Sequence, residues 1–215
     1  MTKSSSQSST HRAYLALRND IIFGHLQPGD RLKIDTLKEK LETGASPVRE
    51  ALSLLTSDQL VDRIDQRGFR VAATSREQFQ EILDLRCRLE DLAVRESIAV
   101  GDEGWEEELV LSHHHMVQAR KKDQETFESC HKDFHMALIA ACKSPILLRF
   151  CNQLYDLNVR YRYLAGQSKK YSRRDVDAEH RKILEAAVDR NVDLVSERLI
   201  EHYRGTGAFL VDQID

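Results

Sequence analysis

Two adjacent segments decide the fold of the N-terminal part: residues 46–52 read SPVREAL and residues 60–71 read LVDRIDQRGFRV. Ser46 is a favourable helix N-cap and Pro47 suits the first helical position, so the first segment predicts a short helix with Arg49 near its start. The second segment predicts two strands joined by a tight turn at Asp65–Gly68. A short helix followed by a basic hairpin indicates a winged helix-turn-helix.

The residues before this stretch complete a three-helix arrangement. Apolar residues at helical spacing predict a helix over residues 11–24, and the turn residues at 26–30 end it. Asp35 is placed to cap a second short helix that runs to Leu41. The hairpin strands are predicted over Val61–Ile64 and Phe69–Ala72. Residues 11–73 are therefore expected to form one winged helix-turn-helix domain with a small β-hairpin wing.

The rest of the chain has a helical pattern only. Residues 74–77 read TSRE, a capping box that predicts the start of a long helix. Breaks at 101–104, 122–123, 144–145, 167–174 and 189–191 delimit six helices, and Ser144 with Pro145 repeats the N-cap and first-position signal. The fold class is thus mainly α, with residues 1–10 as a disordered tail and residues 74–215 as an all-helical six-helix bundle.

Composition limits the possible classes of protein. No run approaches the roughly 18 apolar residues of a membrane span, and the Ser-rich residues 1–10 lack the apolar core of a signal peptide. We therefore expect a cytoplasmic protein that does not bind membranes. Residues 1–76 hold 12 Lys/Arg and 9 Asp/Glu, whereas the remainder holds 20 and 26. A mildly basic head on an acidic body is typical of a nucleic-acid-binding module joined to another domain.

The candidate DNA contacts lie in the two segments quoted first. A recognition helix turns its N-terminal residues toward the bases, which points to Ser46 and Arg49. Arginine binds guanine through two parallel hydrogen bonds or clamps a phosphate. The hairpin tip adds Arg67 and Gly68, and the strands on either side add Arg63 and Arg70. The alternative is that these arginines are ordinary solvated charges on a three-helix domain.

Four histidines are candidates for a metal site. His131 and His135 are four residues apart and share a helix face, while His180 and His202 belong to two later helices. Imidazoles from three helices that meet in a bundle core form a plausible transition-metal site. The competing interpretation is chance, because nine histidines in 215 residues often produce such a pair. His113–His115 are a case of this kind, and we expect them at the surface.

Residues 14–73 resemble the N-terminal domain of the GntR family of bacterial transcription regulators. The resemblance is carried, in order, by IFGHLQPG at 22–29, PVREAL at 47–52, Leu60-Val61 and RGFRV at 67–71. Members commonly have an arginine where this chain has Ala45, in a lead-in that reads Gly44-Ala45-Ser46. This departure predicts fewer direct base contacts and more reliance on phosphate and DNA shape.

Residues 78–210 resemble the FCD domain, the helical ligand-binding domain of the FadR branch of that family. The matching positions are Leu85-Arg86, Leu89-Glu90, Phe134-His135, Leu138, His180, residues 183–186 and His202. The resemblance implies a divalent metal held by one Asp and three His. The Asp position is His131 in this chain, so the implied ligands are His131, His135, His180 and His202, or the last three together with water. A nitrogen-rich set favours a transition metal such as zinc or nickel.

The same resemblance implies a pocket for a small organic acid above the metal. Arg86 matches a pocket arginine, and the run from Asn158 to Tyr163 adds Asn158 with Arg160 or Arg162 as further effector contacts. Because each helix position turns by about 100°, Arg160 and Arg162, two positions apart, do not face the same way. The stretch around His131 and residues 134–163 is most similar to the branch that senses glutarate or 2-hydroxyglutarate.

The expected function is therefore a homodimeric DNA-binding regulator, a repressor released from a palindromic operator by a dicarboxylate or hydroxy acid. It is not expected to be an enzyme. The main alternative is a metal-dependent helical-bundle hydrolase, in which the histidines activate water. No His-Glu-x-x-His motif and no obvious general base support that alternative. A second alternative is an architectural DNA-binding protein that has no effector.

Overall fold

The N-terminal elements of the computed structural model, which describes residues 8–164 and 174–211, form a small three-helix domain with a sheet. In chain order they are α1 (Ser9–Ile22), β1 (Arg31–Leu32), α2 (Ile34–Lys40), α3 (Ala45–Ser57), β2 (Val61–Ile64) and β3 (Gly68–Val71). Helices α1 and α2 both pack on α3. The core between them is fully buried and apolar, and includes Leu17, Ile21, Leu52 and Leu55. Burial of each such side chain contributes about 1.5–3 kcal/mol.

The starts of α1, α2 and α3 differ from the sequence-based predictions. Helix α2 begins at Ile34 with Lys33 at the N-cap, so the prediction that Asp35 caps it is wrong. Helix α1 begins at Ser9 with Ser8 as its N-cap, so the last residues of the predicted disordered tail are helical, and residues 1–7 lie outside the described part. Helix α3 begins at Ala45 with Gly44 at the N-cap, so the prediction of Ser46 as N-cap is wrong. Pro47 then lies in the third helical position, which a first turn tolerates because its N–H groups have no partner inside the helix.

The sheet has a third strand that the sequence pattern did not predict. Its order is β1-β3-β2, with both pairs antiparallel, and β1 is only two residues long. The β2–β3 turn contains two residues at positive φ, Gln66 at 57° and Gly68 at 89°. Glycine is favoured there because it has no Cβ to clash in the left-handed region. The predicted two-stranded wing is therefore correct but incomplete.

The later elements are all helical in the part of the chain that the structure describes. They are α4 (Arg76–Val100), α5 (Glu103–Ala119), α6 (Gln124–Ile139), α7 (Pro145–Leu164), α8 (Val176–Val188) and α9 (Val192–Val211). This confirms the predicted six helices. The predicted break at 167–174 lies almost entirely outside the described residues. Ser144 accepts a hydrogen bond from the Leu147 N–H at 3.3 Å, so the second Ser-Pro pair does cap its helix.

Side-chain caps also begin three of the other helices. Asp102, Asp123 and Asp175 each accept a hydrogen bond from a backbone N–H three residues later, at 2.9, 2.8 and 2.9 Å. A carboxylate at this position satisfies an otherwise unpaired donor and complements the helix dipole. Helices α4 and α9, α5 and α6, and α8 and α9 pack against each other. None of the described helices is both long enough and apolar enough to cross a membrane.

The chain divides into two units that do not follow the sequence order completely. The N-terminal unit comprises Met1–Ser75 together with Val159–Leu164, and the C-terminal unit comprises Arg76–Asn158 and Ala165–Asp215. The division thus falls two residues after the predicted boundary at 73. The last six residues of α7 are assigned with the N-terminal elements, which sequence analysis did not anticipate.

Candidate functional site

The start of α3 presents Arg49 to solvent. Val48, Ala51, Leu52 and Leu55 form the buried face of this helix, and its periodicity places Arg49 on the opposite side. Within the described residues the Arg49 guanidinium has no hydrogen-bond or ion-pair partner. The Ser46 hydroxyl donates to Glu50 at 3.3 Å, and Thr10 donates to the same carboxylate at 2.8 Å. The exposed cation at this helix start is therefore Arg49.

The strand register sorts the wing arginines onto two faces. Arg70 on β3 lies opposite Arg31 on β1 and opposite Asp62 on β2, so these three side chains share one face. Arg63 lies opposite Phe69 and points to the other face. All the wing arginines are exposed. Arg31 was missed by sequence analysis, because a two-residue strand leaves no alternating pattern.

The wing arginines also hold the sheet together. Arg70 donates from Nη1 to the Gly29 carbonyl at 2.9 Å, across the turn that precedes β1. Arg31 Nη2 lies 3.5 Å from the Arg67 carbonyl, at the long limit of a hydrogen bond. These contacts use only part of each guanidinium, and the remaining N–H groups face solvent. The wing is therefore an ordered, positively charged edge beside Gly68.

In the C-terminal unit the four predicted histidines lie together. Their candidate ligand atoms are all within 4.8 Å of one another. His131 Nε2 is 3.1 Å from His180 Nε2 and 3.2 Å from His135 Nε2. All four side chains are buried, with His180 inaccessible and His202 only 5% exposed. Helices α6, α8 and α9 supply these side chains, as the spacing of the histidines predicted.

Two tyrosines contact the outer nitrogens of the α6 histidines. The Tyr155 hydroxyl lies 2.6 Å from His131 Nδ1 and donates to Glu128 at 2.5 Å. The Tyr203 hydroxyl lies 2.9 Å from His135 Nδ1 and donates to Glu90.

The other two imidazoles differ from this arrangement. His202 Nδ1 lies 2.8 Å from Glu179 Oε2, and Arg174 holds the same carboxylate with Nε at 3.0 Å. His180 Nδ1 is buried and has no hydrogen-bond partner among the described residues. Metal-ligating histidines usually have the second ring nitrogen fixed by such a carboxylate or carbonyl partner.

Burial sets the charge state of the cluster. It lowers the pKa of His135 and His180 well below the ordinary value of 6.5, and the neighbouring imidazoles lower it further. Burial also lowers the pKa of His202, although Glu179 opposes that change. Burial raises the pKa of Tyr203 well above 10, so its hydroxyl keeps its proton at neutral pH. These imidazoles are therefore neutral and have lone pairs to offer.

The arrangement fits a divalent transition metal. With metal–nitrogen bonds of about 2.0–2.1 Å, two ligands of a tetrahedral site are roughly 3.3–3.4 Å apart. The two shortest Nε2 separations, 3.1 and 3.2 Å, are close to this value. Nitrogen lone pairs that face each other at this distance repel unless a proton or a cation lies between them. A set of imidazole nitrogen donors suits zinc, nickel or copper and does not suit magnesium.

Arg86 lies beside the cluster with one donor group unused. It donates from Nε to Glu90 at 2.6 Å and from Nη1 to Asn158 Oδ1 at 3.0 Å. Its guanidinium lies 4.7 Å from the Tyr155 ring centroid and 3.9 Å from that of Tyr203. Nη2 is buried with no partner among the described residues. Burial alone would lower the pKa of Arg86, but attraction to Glu90, Tyr203 and Tyr155 together with the hydrogen bond to Glu90 outweighs it and raises the pKa.

The other expected effector residues separate into two groups. Asn158 contacts Arg86 in the C-terminal unit, as expected. Arg160 is buried in the N-terminal unit and donates to the Ala72 carbonyl, and Arg162 in that same unit lies over the Tyr163 ring at 6.0 Å. A buried guanidinium needs acceptors, and the carbonyl that follows β3 supplies one. The structure thus brings Arg86 and Asn158 to the cluster, whereas Arg160 and Arg162 belong to the N-terminal unit.

Sequence analysis missed the polar residues that surround the histidines. They are Tyr155, Tyr203, Glu128, Glu179 and Arg174, and Glu90 was noted only as part of a family motif. Only Glu128 has a spacing signal, because it lies three residues before His131 on α6. No local pattern marks the tyrosines, because Tyr155 is 27 residues from Glu128 and Tyr203 is 113 residues from Glu90. Polar residues at predicted core positions of the helices are the one signal that would have found them.

Known protein families match both units of the chain. Residues 9–71 match the bacterial regulatory proteins of the gntR family, and residues 81–205 match the FCD domain. The chain is 32% identical over 197 residues to the HTH-type transcriptional repressor GlaR of Escherichia coli (strain K12), covering 88% of this chain and 90% of that protein. It is 34% identical over 203 residues to the uncharacterized HTH-type transcriptional regulator BphR of Paraburkholderia xenovorans (strain LB400), covering 91% and 82%.

A solved structure shows the same architecture. The structure of E. coli McbR/YncC superposes with a TM-score of 0.82 and 26% sequence identity, covering 97% of this chain and 99% of that one. The matched domains are regulatory, which excludes the hydrolase alternative. These matches agree with the exposed Arg49 on the winged helix and with the buried histidines in the helical bundle. The chain therefore belongs to the GntR family of bacterial transcription regulators and carries a C-terminal FCD domain.

Proposed function

We propose that this protein is a homodimeric repressor that leaves a palindromic operator when a small carboxylic acid binds its FCD domain. Residues 11–73 act as the DNA-binding domain, and residues 74–215 act as the ligand-binding and dimerisation domain. The observation that carries the proposal is the four-imidazole cluster next to Arg86, in a chain whose other unit presents Arg49 to solvent. The name of the similar GlaR, a repressor, supports the sign of regulation.

The DNA contacts follow from the exposed cations. Arg49 and Ser46 enter the major groove of the DNA. Arg67, Gly68 and Arg70 contact the neighbouring sugar-phosphate backbone. Arg63 completes the set from the other face of the wing. Two copies related by a two-fold axis place their recognition helices one turn apart on a palindrome. Exposed apolar side chains on α4 and α7, among them Leu85, Leu92, Ile146 and Phe150, offer surface for the second copy.

The effector site combines a metal with a cation. His131, His135, His180 and His202 would hold zinc or nickel, which supplies a Lewis-acidic centre for one carboxylate. Arg86 Nη2 is the group available to the other end of the effector, and Asn158 orients that guanidinium. A dicarboxylate or a hydroxy acid has one group for the metal and another for Arg86. Glutarate and 2-hydroxyglutarate are the first compounds to test.

The DNA role is tested with duplexes selected from a random pool by the wild-type protein. We expect Arg49→Ala to weaken binding by about 1–3 kcal/mol if Arg49 contacts a base, or to reduce the slope of log affinity against log salt by about 1 if it contacts a phosphate. Arg181→Ala, an exposed arginine on α8 of the C-terminal unit, is the matched control. Unchanged affinity and unchanged salt slope in an intact dimer would contradict the assignment.

The metal and the effector are tested on the same preparations. Metal content is measured in protein purified without added ions, for wild type, for His135→Ala with His180→Ala, and for the exposed pair His114→Ala with His115→Ala. We expect metal in the wild type and in the exposed-pair control only. Glutarate should then release DNA from the wild type, and operator DNA should weaken glutarate binding by the same factor. Equal metal content in all three proteins refutes the site.

A further inference from the structure

The two tyrosines beside the α6 histidines occupy equivalent positions. Each hydroxyl oxygen contacts one histidine Nδ1 and one glutamate. Tyr155 joins His131 to Glu128, and Tyr203 joins His135 to Glu90. His131 Nδ1 also lies 3.5 Å from Glu128 Oε1, at the long limit of a hydrogen bond, so the shorter contact at His131 is the one with Tyr155. All six side chains are buried. The tyrosines and glutamates come from α4, α6, α7 and α9, so the two groups are not a repeat of one local motif.

The direction of each hydrogen bond follows from the number of protons. A tyrosine hydroxyl has one hydrogen, and a carboxylate only accepts, so the hydrogen of each hydroxyl points to its glutamate. The same oxygen then meets the histidine Nδ1 as an acceptor, which requires a hydrogen on Nδ1. In a neutral imidazole the other nitrogen, Nε2, then carries the lone pair. Both Nε2 atoms face the centre of the cluster, 3.2 Å apart.

We propose that Tyr155 with Glu128, and Tyr203 with Glu90, are positioning residues that hold His131 and His135 in the Nδ1–H tautomer before any metal arrives. The inference rests on the proposed metal site and assigns four residues to it. A neutral histidine side chain in water prefers the Nε2–H form, in which Nε2 cannot bind a metal. Two lone pairs that face each other also disfavour the required form, so the tautomer has to be imposed from outside the cluster.

The remaining two histidines provide an internal comparison. Glu179 contacts His202 Nδ1 directly and imposes the same tautomer without a tyrosine. His180 Nδ1 has no partner among the described residues, so nothing fixes its tautomer from outside the cluster. Its Nε2 lies 3.1 Å from His131 Nε2, where it can donate its hydrogen to that lone pair. We therefore expect His180 in the Nε2–H form, opposite to the other three, in the metal-free protein.

The test reads the tautomers directly. Metal-free full-length protein is labelled with ¹⁵N-histidine, and long-range ¹H–¹⁵N correlation spectra are recorded. We expect Nδ1–H patterns for His131 and His135. Tyr155→Phe should move only His131 toward Nε2–H, and Tyr203→Phe only His135. The matched control is Tyr14→Phe, which removes another tyrosine–carboxylate hydrogen bond, to Asp58 at 2.7 Å, from the N-terminal unit. Nε2–H patterns for His131 and His135 in the wild type overturn the inference without any variant.

A second measurement separates this inference from the proposed function. Affinity for Zn²⁺ or Ni²⁺ is measured by competition with a chelator. We expect Tyr155→Phe and Tyr203→Phe each to weaken binding by about 10–100-fold, and Tyr14→Phe to leave it unchanged. A wild type that binds no metal refutes the proposed site, while the spectra still decide the tautomers. Tight binding that both variants retain refutes the positioning role alone.

Discussion

At the scale of single residues, Arg86 and Glu90 form a buried ion pair on one helix face. Their side chains are 5% and 3% exposed, and the Nε–Oε1 distance is 2.6 Å. A buried pair of this kind contributes little net stability compared with apolar replacements, but the loss of one partner leaves a charge without compensation. Arg86 also faces the rings of Tyr155 and Tyr203, so it adds packing as well as charge.

We predict that Arg86→Met destabilises the metal-free protein by about 3–5 kcal/mol, because it leaves the Glu90 carboxylate buried without its cation. Arg86→Met combined with Glu90→Gln should recover a large part of that loss, since no buried charge remains. Urea unfolding of the wild type, both single variants and the double variant measures the coupling between the two side chains. Additive effects of the single changes would contradict this account of the pair.

At the scale of elements, the wing turn depends on one glycine. Gly68 has a φ of 89°, and a Cβ added there would meet no atom within 4 Å. Any cost of a side chain at this position therefore comes from the backbone conformation and not from crowding. The preceding Gln66 already adopts a φ of 57° without being glycine.

We predict that Gly68→Ala destabilises the N-terminal unit by about 1–2 kcal/mol, the cost of a left-handed conformation for a residue with a Cβ. Gly104→Ala is the control, since Gly104 lies in the first turn of α5 outside the left-handed region and Ala is the better helix former. Thermal unfolding of the two variants checks the prediction. Equal effects of both changes would show that the positive φ of Gly68 carries no cost for a residue with a Cβ.

The elements also show how far sequence reasoning extends. The six helices of the bundle were predictable because each break carries a cap or a Gly or Pro signal. The same Ser-Pro signal that located α7 misplaced the start of α3 by two residues, because Gly44 adopts an extended conformation and serves as N-cap without a side-chain bond. The strand β1 was missed because two residues cannot form a pattern. Pairing with β3, which is distant in sequence, is what orders it.

The candidate site was predictable in part for a related reason. The i,i+4 spacing of His131 and His135 is a local signal. His180 and His202 were candidates as histidines on two later helices, and the family resemblance then implied the same set. Arg160 was expected near them, yet its guanidinium is bound to Ala72 in the other unit. Only the tertiary structure shows which neighbour a long side chain contacts. The same holds for Tyr155 and Tyr203, whose partners lie on other helices.

At the scale of the whole molecule, the buried histidines make stability depend on pH. Burial lowers the pKa of His135, His180 and His202 below the ordinary 6.5. Below that value the unfolded chain binds more protons at these residues than the folded one. Stability is therefore fully present above pH 6.5 and is lost as the pH falls through the lowered values.

We predict that the free energy of unfolding of the metal-free protein falls as the pH is lowered from about 6.5 toward the reduced pKa values of these histidines. Urea unfolding across this range measures the slope. The variant with His135→Gln and His180→Gln should give a flatter profile, because two of the groups that take up protons on unfolding are absent. Replacement of the exposed His114 and His115 should leave the slope unchanged. A wild-type profile that is flat over this window would contradict the prediction.

The depth of the histidine cluster also sets a time scale. The four imidazoles are between 0% and 5% exposed. An ion held there leaves or enters only when the surrounding helices open, and openings of this kind occur more rarely the more stable the surrounding helices are. Exchange of the ion is then limited by the rate of opening and not by diffusion. The metal content of a purified sample would accordingly record what was present when the chain folded, and brief dialysis against another ion would not replace it.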